Sequence, residues 1–228
     1  MTIVNLTLVI EVCIYITMKH LNTNHLAQLP SRKRAHLINS VVGYKSIHLI
    51  GTHFEDWSNL CIISTLTHLG SNPALLGFVL RPTTVPRHTY DIVQKNPYFT
   101  VNNVTEDLLE GGHQSSASYD EQINEFKEVG LKEEWKNDFK APFVQDSPIQ
   151  LGCKWIREMP IIENGCRFLI GQIEEIYIQD TLIADDSDGF LSLETAGLIC
   201  GSGMDGYYRP NFLHRRNYAQ PNVPPHTI

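Results

Sequence analysis

The sequence predicts a mainly β fold with α decorations, of the small barrel kind. Three observations predict it. Short apolar stretches recur at close spacing between residues 46 and 104, each bounded by turn residues. Apart from one short helix after Thr89, helical patterns sit before and after that block instead of alternating with its strands, which argues against βαβ units. Apolar residues make up 42% of the 228 and charged residues 19%, enough for one domain with a real core.

The elements follow in order. Ser31 to Asn39 reads as a short helix that ends near Gly43. Ser46–Thr52, Asn59–Leu66 and Ala74–Leu80 are rich in Ile, Leu and Val and read as strands. Turns are expected at His53–Ser58, Gly70–Pro73 and Arg81-Pro82. Thr89 is placed to N-cap a short helix that stops before Asn96-Pro97. Tyr98–Val104 returns to strand. Ser118 and Glu121 match a capping box, so an amphipathic helix is expected from Ser118, with Ile123 and Phe126 on one face, ending at Gly130. A second short helix is expected around Glu133–Phe139. Ile149–Ile156 and Arg167–Gln179 read as strands, the latter broken by a bulge or bend at Glu174-Glu175. The proline-bearing tail reads as loop. The expected organisation is an extension over residues 1–30, one domain over 31–221 with a helical insertion at 118–139, and a tail over 222–228.

Charge and special residues narrow the function. Net charge is −7 and the pI about 5.8, which argues against nucleic acid as a partner, because phosphate backbones need a basic face. Arg32, Lys33 and Arg34 read as the solvated side of the first helix. The five cysteines form no Cys-x-x-Cys pair and suit neither a zinc ribbon nor a disulfide framework, so a reduced, cytoplasmic setting is expected. Leu8–Ile16 is apolar but interrupted by Glu11, has no basic residue before it and is too short to span a bilayer. Met18 follows it, and translation starting there, or a loosely attached extra strand, are the two readings; no membrane partner is expected.

Several motifs mislead. Gly201-Ser-Gly203-Met-Asp-Gly206 matches Gly-x-Gly-x-x-Gly, but Tyr207-Tyr208-Arg209-Pro210 follows, so a glycine-rich turn is expected. None of the ten histidines lies three or four residues from another, and no metal site is expected. His48 and His68 read as satisfied core or surface histidines. Asp185, Asp186 and Asp188 read as a solvated turn. No nucleophile elbow or Walker loop is present. No catalytic residue is named.

The informative stretch runs from Gly43 to Val104. It holds Gly51-Thr52 at a strand end, Asn59 leading into a strand that closes on Ser64-Thr65, Asn72-Pro73, Arg87-His88-Thr89 before a short helix, and Val101-Asn102. In order and spacing this resembles the flavin reductase-like, FMN-binding split-barrel family of the flavoredoxin type. Looser similarity runs from about Ser31 to Pro221, through DEQINEFKEVGL and GQIEEIYIQD to GYYRP. The resemblance implies a Greek-key split barrel of six strands, bound FMN, with FAD as an alternative flavin substrate, and NADH or NADPH as electron donor. It implies a homodimer that passes electrons to an acceptor or partner oxygenase. Two features depart from the family: Arg-His-Thr stands where Lys-Asp-Thr is usual, and Ile92 stands where an Asn is usual.

The chemistry fits the residues that the resemblance singles out. A phosphate dianion is bound by backbone N–H groups, hydroxyls and cations at a helix start. Arg87, His88 and Thr89 stand at such a start, and Arg81 can add a second charge. Ser64 and Thr65 can donate to phosphate or ribityl oxygens, Asn59 can read the polar edge of the ring, and the backbone near Ile62 and Ile63 can pack on it. Taken singly, Thr89 reads equally well as an N-cap, Ser64 and Thr65 as strand-end residues, and the arginines as surface charges. Three functions stay open: a flavin reductase, a flavin-carrying protein reduced by a partner protein, and a barrel that binds another ligand.

Overall fold

The computed structural model describes residues 18–183 and 188–228. The readings of Leu8–Ile16, Cys13, Asp185 and Asp186 fall outside them.

Two helices come first, α1 (Thr23–Gln28) and α2 (Ser31–Val41). The sequence reading had no counterpart to α1. Asn22 caps it by accepting from the His25 N–H, while the His25 ring accepts from the Asn22 N–H, a reciprocal box built with an unusual partner. Gly43, at φ +86°, turns the chain out of α2.

Strands β1 (Lys45–Ser46), β2 (His48–Phe54), β3 (Trp57–Ile63), β4 (Thr67–Ser71) and β5 (Ala74–Leu80) follow. Then come α3 (His88–Lys95), β6 (Tyr98–Asn103), α4 (Glu106–Gln114) and α5 (Glu125–Glu128). The chain continues through β7 (Glu133–Glu134), β8 (Phe143–Val144), β9 (Ile149–Ile161) and β10 (Cys166–Ile178), and after a 3₁₀ turn at Asp180–Leu182 it ends in β11 (Cys200–Ser202) and β12 (Gly206–Tyr208).

The principal sheet has the order β3-β2-β6-β9-β10-β5-β4, with every neighbouring pair antiparallel. The mainly β class is as expected, but the sheet has seven strands, not six. The extra one is β4, which occupies much of the expected turn at Gly70–Pro73. The sheet does not close, so β3 and β4 are its edges. The bulge expected near Glu174 is present, between Ile173 and Glu175. The Gly201–Gly206 segment is a turn, joining β11 to β12 as a hairpin.

The core lies on both faces of this sheet. Ile50, Phe78, Phe99, Val101 and Leu169 form one cluster, in which the Phe78 and Phe99 rings meet edge to face at 5.6 Å. Leu49, Leu60, Leu108 and Phe126 form another, beneath α4 and α5. Adjacent residues Leu49 and Ile50 therefore point into different clusters, which is why β2 reads as an unbroken apolar run.

The helical insertion at 118–139 is corrected. No helix starts at Ser118. Gln122 adopts φ +68°, incompatible with helix, and the Ile123 carbonyl accepts from the Trp57 indole N–H at 3.0 Å. The helix begins only at Glu125, capped by Asn124, whose side chain accepts from the Lys127 N–H. Glu133–Phe139 is not helical either. Glu133 and Glu134 pair with Val144 and Phe143, and Asn137 and Asp138 both take positive φ in the turn between them. Just before this segment lies α4, for which the sequence reading had no counterpart. Gly111 is required by packing: a Cβ there would stand 2.8 Å from the Val129 carbonyl oxygen and the Leu131 side chain.

Cys61, Cys153, Cys166 and Cys200 are free thiols. Asp188 pairs with Arg215. His48 is buried but not satisfied, because its Nδ1 has no partner. His68 lies on the exposed edge strand β4. Among the described residues no helix is long and apolar enough to cross a membrane.

Candidate functional site

A cavity of about 1160 Å³ opens along the outer edge of β3. Its second wall is the loop from Arg81 to Arg87 with the first turns of α3. Its third is the end of α4 with residues 115–121, and its fourth is the β11–β12 hairpin.

The β3 wall follows from strand geometry. The Leu60 N–H donates to the Glu125 carboxylate at 3.2 Å, so it points away from β2. In an antiparallel ladder, alternate residues share a direction, so the N–H and C=O of Ile62 also face outward. Ile62 lines the cavity with backbone groups that the sheet does not use. Ile63 has the opposite parity, and its side chain packs on the core cluster around Ile50. Both residues line the cavity, and the free backbone edge there is that of Ile62.

The α3 wall is a helix start without a side-chain cap. Arg87 occupies the cap position and caps nothing, which leaves the N–H groups of the first turn open. Its guanidinium Nε donates to the Pro82 carbonyl at 3.2 Å, bracing the loop it closes. Arg81 is exposed on the cavity rim. Asp91, in the first turn of α3, adds one negative charge to the same wall.

The sequence-derived residues separate into groups. Ser64, Arg81, Arg87 and His88 line the cavity. Thr89 does too, but it is no N-cap: it sits inside α3, buried, and donates to the Asn59 side-chain oxygen at 2.7 Å and to the Cys61 sulfur at 3.1 Å. Asn59 is 2% exposed, and its oxygen also accepts from Thr52 at 3.4 Å, while its amide bonds the Glu125 carboxylate. It lines the cavity as well, but its groups are already engaged in bracing the wall. Thr65 is not among the lining residues. Its hydroxyl donates to the Val79 carbonyl and accepts from the Val79 N–H, at 3.2 and 3.0 Å, joining the end of β3 to β5.

Sequence reasoning missed Glu125, Cys61, His113 and Tyr207. Glu125 is 5% exposed, and burial pushes its carboxyl up to about 7. Its Oε1 stands 3.8 Å from Nδ1 of His88, whose ring meets the Trp57 indole edge to face at 5.0 Å. Burial pushes the Cys61 thiol up to about 12, so it is a protonated wall residue and no nucleophile. The Tyr207 hydroxyl and His113 Nδ1 are 2.7 Å apart and link α4 to the β11–β12 hairpin. Glu125 lies 65 residues from its partner Leu60, and no local spacing could have announced it. The hairpin had a signal, the glycine cluster at 201–206, which reads as a turn but not as a cavity wall.

Residues 45–192 match the family model of the flavin reductase like domain, well over half of the chain. This chain belongs to the flavin reductase like family. A protein of Shewanella frigidimarina NCIMB 400, assigned as a flavin reductase with a split barrel domain, has a crystal structure that superposes with a TM-score of 0.84. It is 38% identical, covering 89% of this chain and 100% of that one. Nitrilotriacetate monooxygenase component B from Bacillus cereus superposes with a TM-score of 0.76 at 16% identity, covering 88% and 100% of the two chains, and shares the fold. An uncharacterized protein of Aquifex aeolicus (strain VF5) is 26% identical over 88 residues, 39% of this chain. The match spans only 44% of that relative's length. The fold is a split barrel and the chain a flavin-related oxidoreductase.

Proposed function

We propose that this chain binds FMN in the cavity along β3 and acts as an NAD(P)H-dependent flavin reductase. The observation that carries the reading is the uncapped start of α3, which meets two guanidinium groups, Arg81 and Arg87, in one cavity. Such a donor set fits a phosphate: open N–H groups and a helix dipole from one side, two delocalised cations from the other. His88 stands where the family usually has an acid, and removes a negative charge from the phosphate's neighbourhood.

The remaining groups fit the other parts of FMN. Ser64 can donate to the ribityl chain, and the outward Ile62 backbone can pair with the polar rim of the ring. At about 1160 Å³ the cavity exceeds the roughly 300–1,000 Å³ usual for one small ligand, which leaves room for a nicotinamide ring beside the flavin. A bound flavin would supply the redox chemistry, taking a hydride from the nicotinamide and giving up two electrons to an acceptor. The chain's residues would bind, orient and shield it.

A homodimer belongs to the same proposal. Ile156, Met159, Ile162 and Ile176 are exposed apolar residues spread along the β9–β10 hairpin and available to a second copy. Light scattering in solution tests it, and a monomer at micromolar concentration removes it.

The function is tested by the visible spectrum of the purified protein, before and after NADH or NADPH under anaerobic conditions. A flavin spectrum that bleaches supports the reductase. One that persists with both nicotinamides favours a flavin carrier reduced by a partner protein. Failure to bind FMN on titration removes the flavin reading altogether.

A further inference from the structure

Glu125 is a buried carboxylate on the wall of a cavity suited to an anion, an arrangement that needs a physical account. Two neutral donors hold it, the Leu60 N–H and the Asn59 amide. Among the described residues its one ion-pair partner within 4 Å is His88. The side chains of the pair are only 6% and 14% exposed. Other titratable groups face the same place from three sides. Cys61 comes from β3, with its thiol held protonated by burial. Arg81 and Arg87 come from the loop before α3 and act on the same Cys61 sulfur as Glu125 does. Asp91 comes from α3 itself. On its own helix, Lys127 and Glu128 are exposed.

His88 is also the first residue of α3, the helix whose open start faces the cavity. A phosphate dianion there would share a poorly screened site with the Glu125 carboxylate. Like charges in such a site repel, and the pair can relieve that repulsion without moving. A proton taken from bulk water onto Glu125 raises the charge of the pair by one and leaves the hydrogen bond from the Leu60 N–H in place.

We propose that the Glu125 carboxyl, buried beside His88, takes up a proton when a phosphate-bearing flavin binds, and so sets the cavity's affinity for it. The inference rests on the flavin reading of the cavity. The placement of the Glu125 carboxyl near neutrality means that the uptake occurs in the working pH range. Both residues are positioning residues for the anion; neither is assigned a step in electron transfer.

The test is calorimetric titration of FMN into the full chain between pH 7 and 8.5, in two buffers of different ionisation enthalpy. The FMN phosphate itself titrates near pH 6, so this range isolates the protein's proton. The native chain takes up a fraction of a proton per FMN, and its Kd rises about fourfold across the range, as expected for a carboxyl near 7 raised by about one pKa unit on binding. In Glu125→Gln the uptake vanishes and the Kd stays level, so that at pH 8.5 the variant binds FMN more tightly than the native chain. A merely structural Glu125 would give the opposite result, weaker binding at every pH. Riboflavin, which lacks the phosphate, binds with little uptake in either protein. Glu125→Asn repeats the test if Glu125→Gln does not fold, and there too the uptake vanishes. Equal uptake in native and variant chains overturns the inference and leaves the flavin reading standing. Failure of FMN and riboflavin to bind at any pH overturns the flavin reading and the inference with it.

Discussion

The Thr89 hydroxyl donates a 2.7 Å hydrogen bond to the Asn59 side-chain oxygen, and this bond ties the first turn of α3 to the outer edge of β3. Both residues are buried, at 4% and 2% exposure. Asn59→Ala strips a partner from Thr89, from Thr52 and from the Glu125 carboxylate together. An unsatisfied buried group costs about 1–3 kcal/mol, so the variant is expected to lose at least that much in urea unfolding. A midpoint equal to that of the native chain would show that Asn59 braces nothing.

Gly51 lies in β2 with no room for a side chain. A Cβ there would stand 2.4 Å from the Pro142 carbonyl oxygen and 2.6 Å from the Thr100 hydroxyl. The first of these is backbone and cannot rotate away. Gly51→Ala is expected to destabilise by about 1–3 kcal/mol or more, the cost of overpacking a close-packed interior. A melting temperature within a degree of the native value would mean that the Pro142 segment shifts freely.

The sheet was largely legible in the sequence and the cavity only in part, for a physical reason. Strands such as Ala74–Leu80 carry their signal in consecutive residues, because β-branched and apolar side chains mark them directly. Helix α5 does not. Its start depends on the turn at Gln122, which the Trp57 indole helps to fix from 66 residues away. The capping box at Ser118 and Glu121 was a sound local pattern overruled by that contact. In the site, Arg87, His88 and Ser64 were visible because they cluster in sequence around strand and helix ends. Glu125 and Tyr207 reach the cavity through the fold alone. Thr65 had the right chemistry, but the Val79 backbone already satisfies its hydroxyl on both sides.

Arg87 is expected to bind phosphate in preference to the ring. Arg87→Ala should weaken FMN binding about tenfold or more, since a hydrogen bond to a charged group contributes about 1.5–3 kcal/mol. Riboflavin affinity should change little, and the difference between the two ligands should shrink as salt is raised. Fluorescence quenching titrations of both flavins measure this. An equal loss for FMN and riboflavin would assign Arg87 to bracing the Pro82 loop only.

His48 sits in β2 with its Nδ1 unpartnered, and burial pushes its imidazole down to about 4 from the ordinary 6.5. Between these values the unfolded chain binds the proton and the folded chain does not. The contribution is therefore present above pH 6.5 and is lost as pH falls through 4. His48→Leu removes this titration and leaves that of Glu125, so its melting temperature is expected to rise relative to that of the native chain as pH falls from 6.5 to 4.5. Parallel profiles for the two proteins would show that His48 reaches a proton-compatible partner when it charges.

Glu125 contributes with the opposite sign. Burial raises its carboxyl from 4.5 to about 7, so in this window the folded chain holds a proton that the unfolded chain releases. The contribution is present below pH 4.5 and is lost as pH rises through 7. The windows of His48 and Glu125 overlap, and the two effects partly cancel, so the native chain is expected to show a shallow dependence of stability on pH between 4.5 and 6.5. Each variant uncovers the other residue. Glu125→Gln keeps an acceptor for the Leu60 N–H and leaves the His48 term alone, so its stability is expected to climb with pH over that range. Above pH 7 it should match or exceed the native chain, because no charge is then buried beside β3. Thermal melts of the native chain and both variants at four pH values separate the terms. A Glu125→Gln profile that tracks the native one would place the carboxylate in contact with solvent and remove its coupling to the cavity.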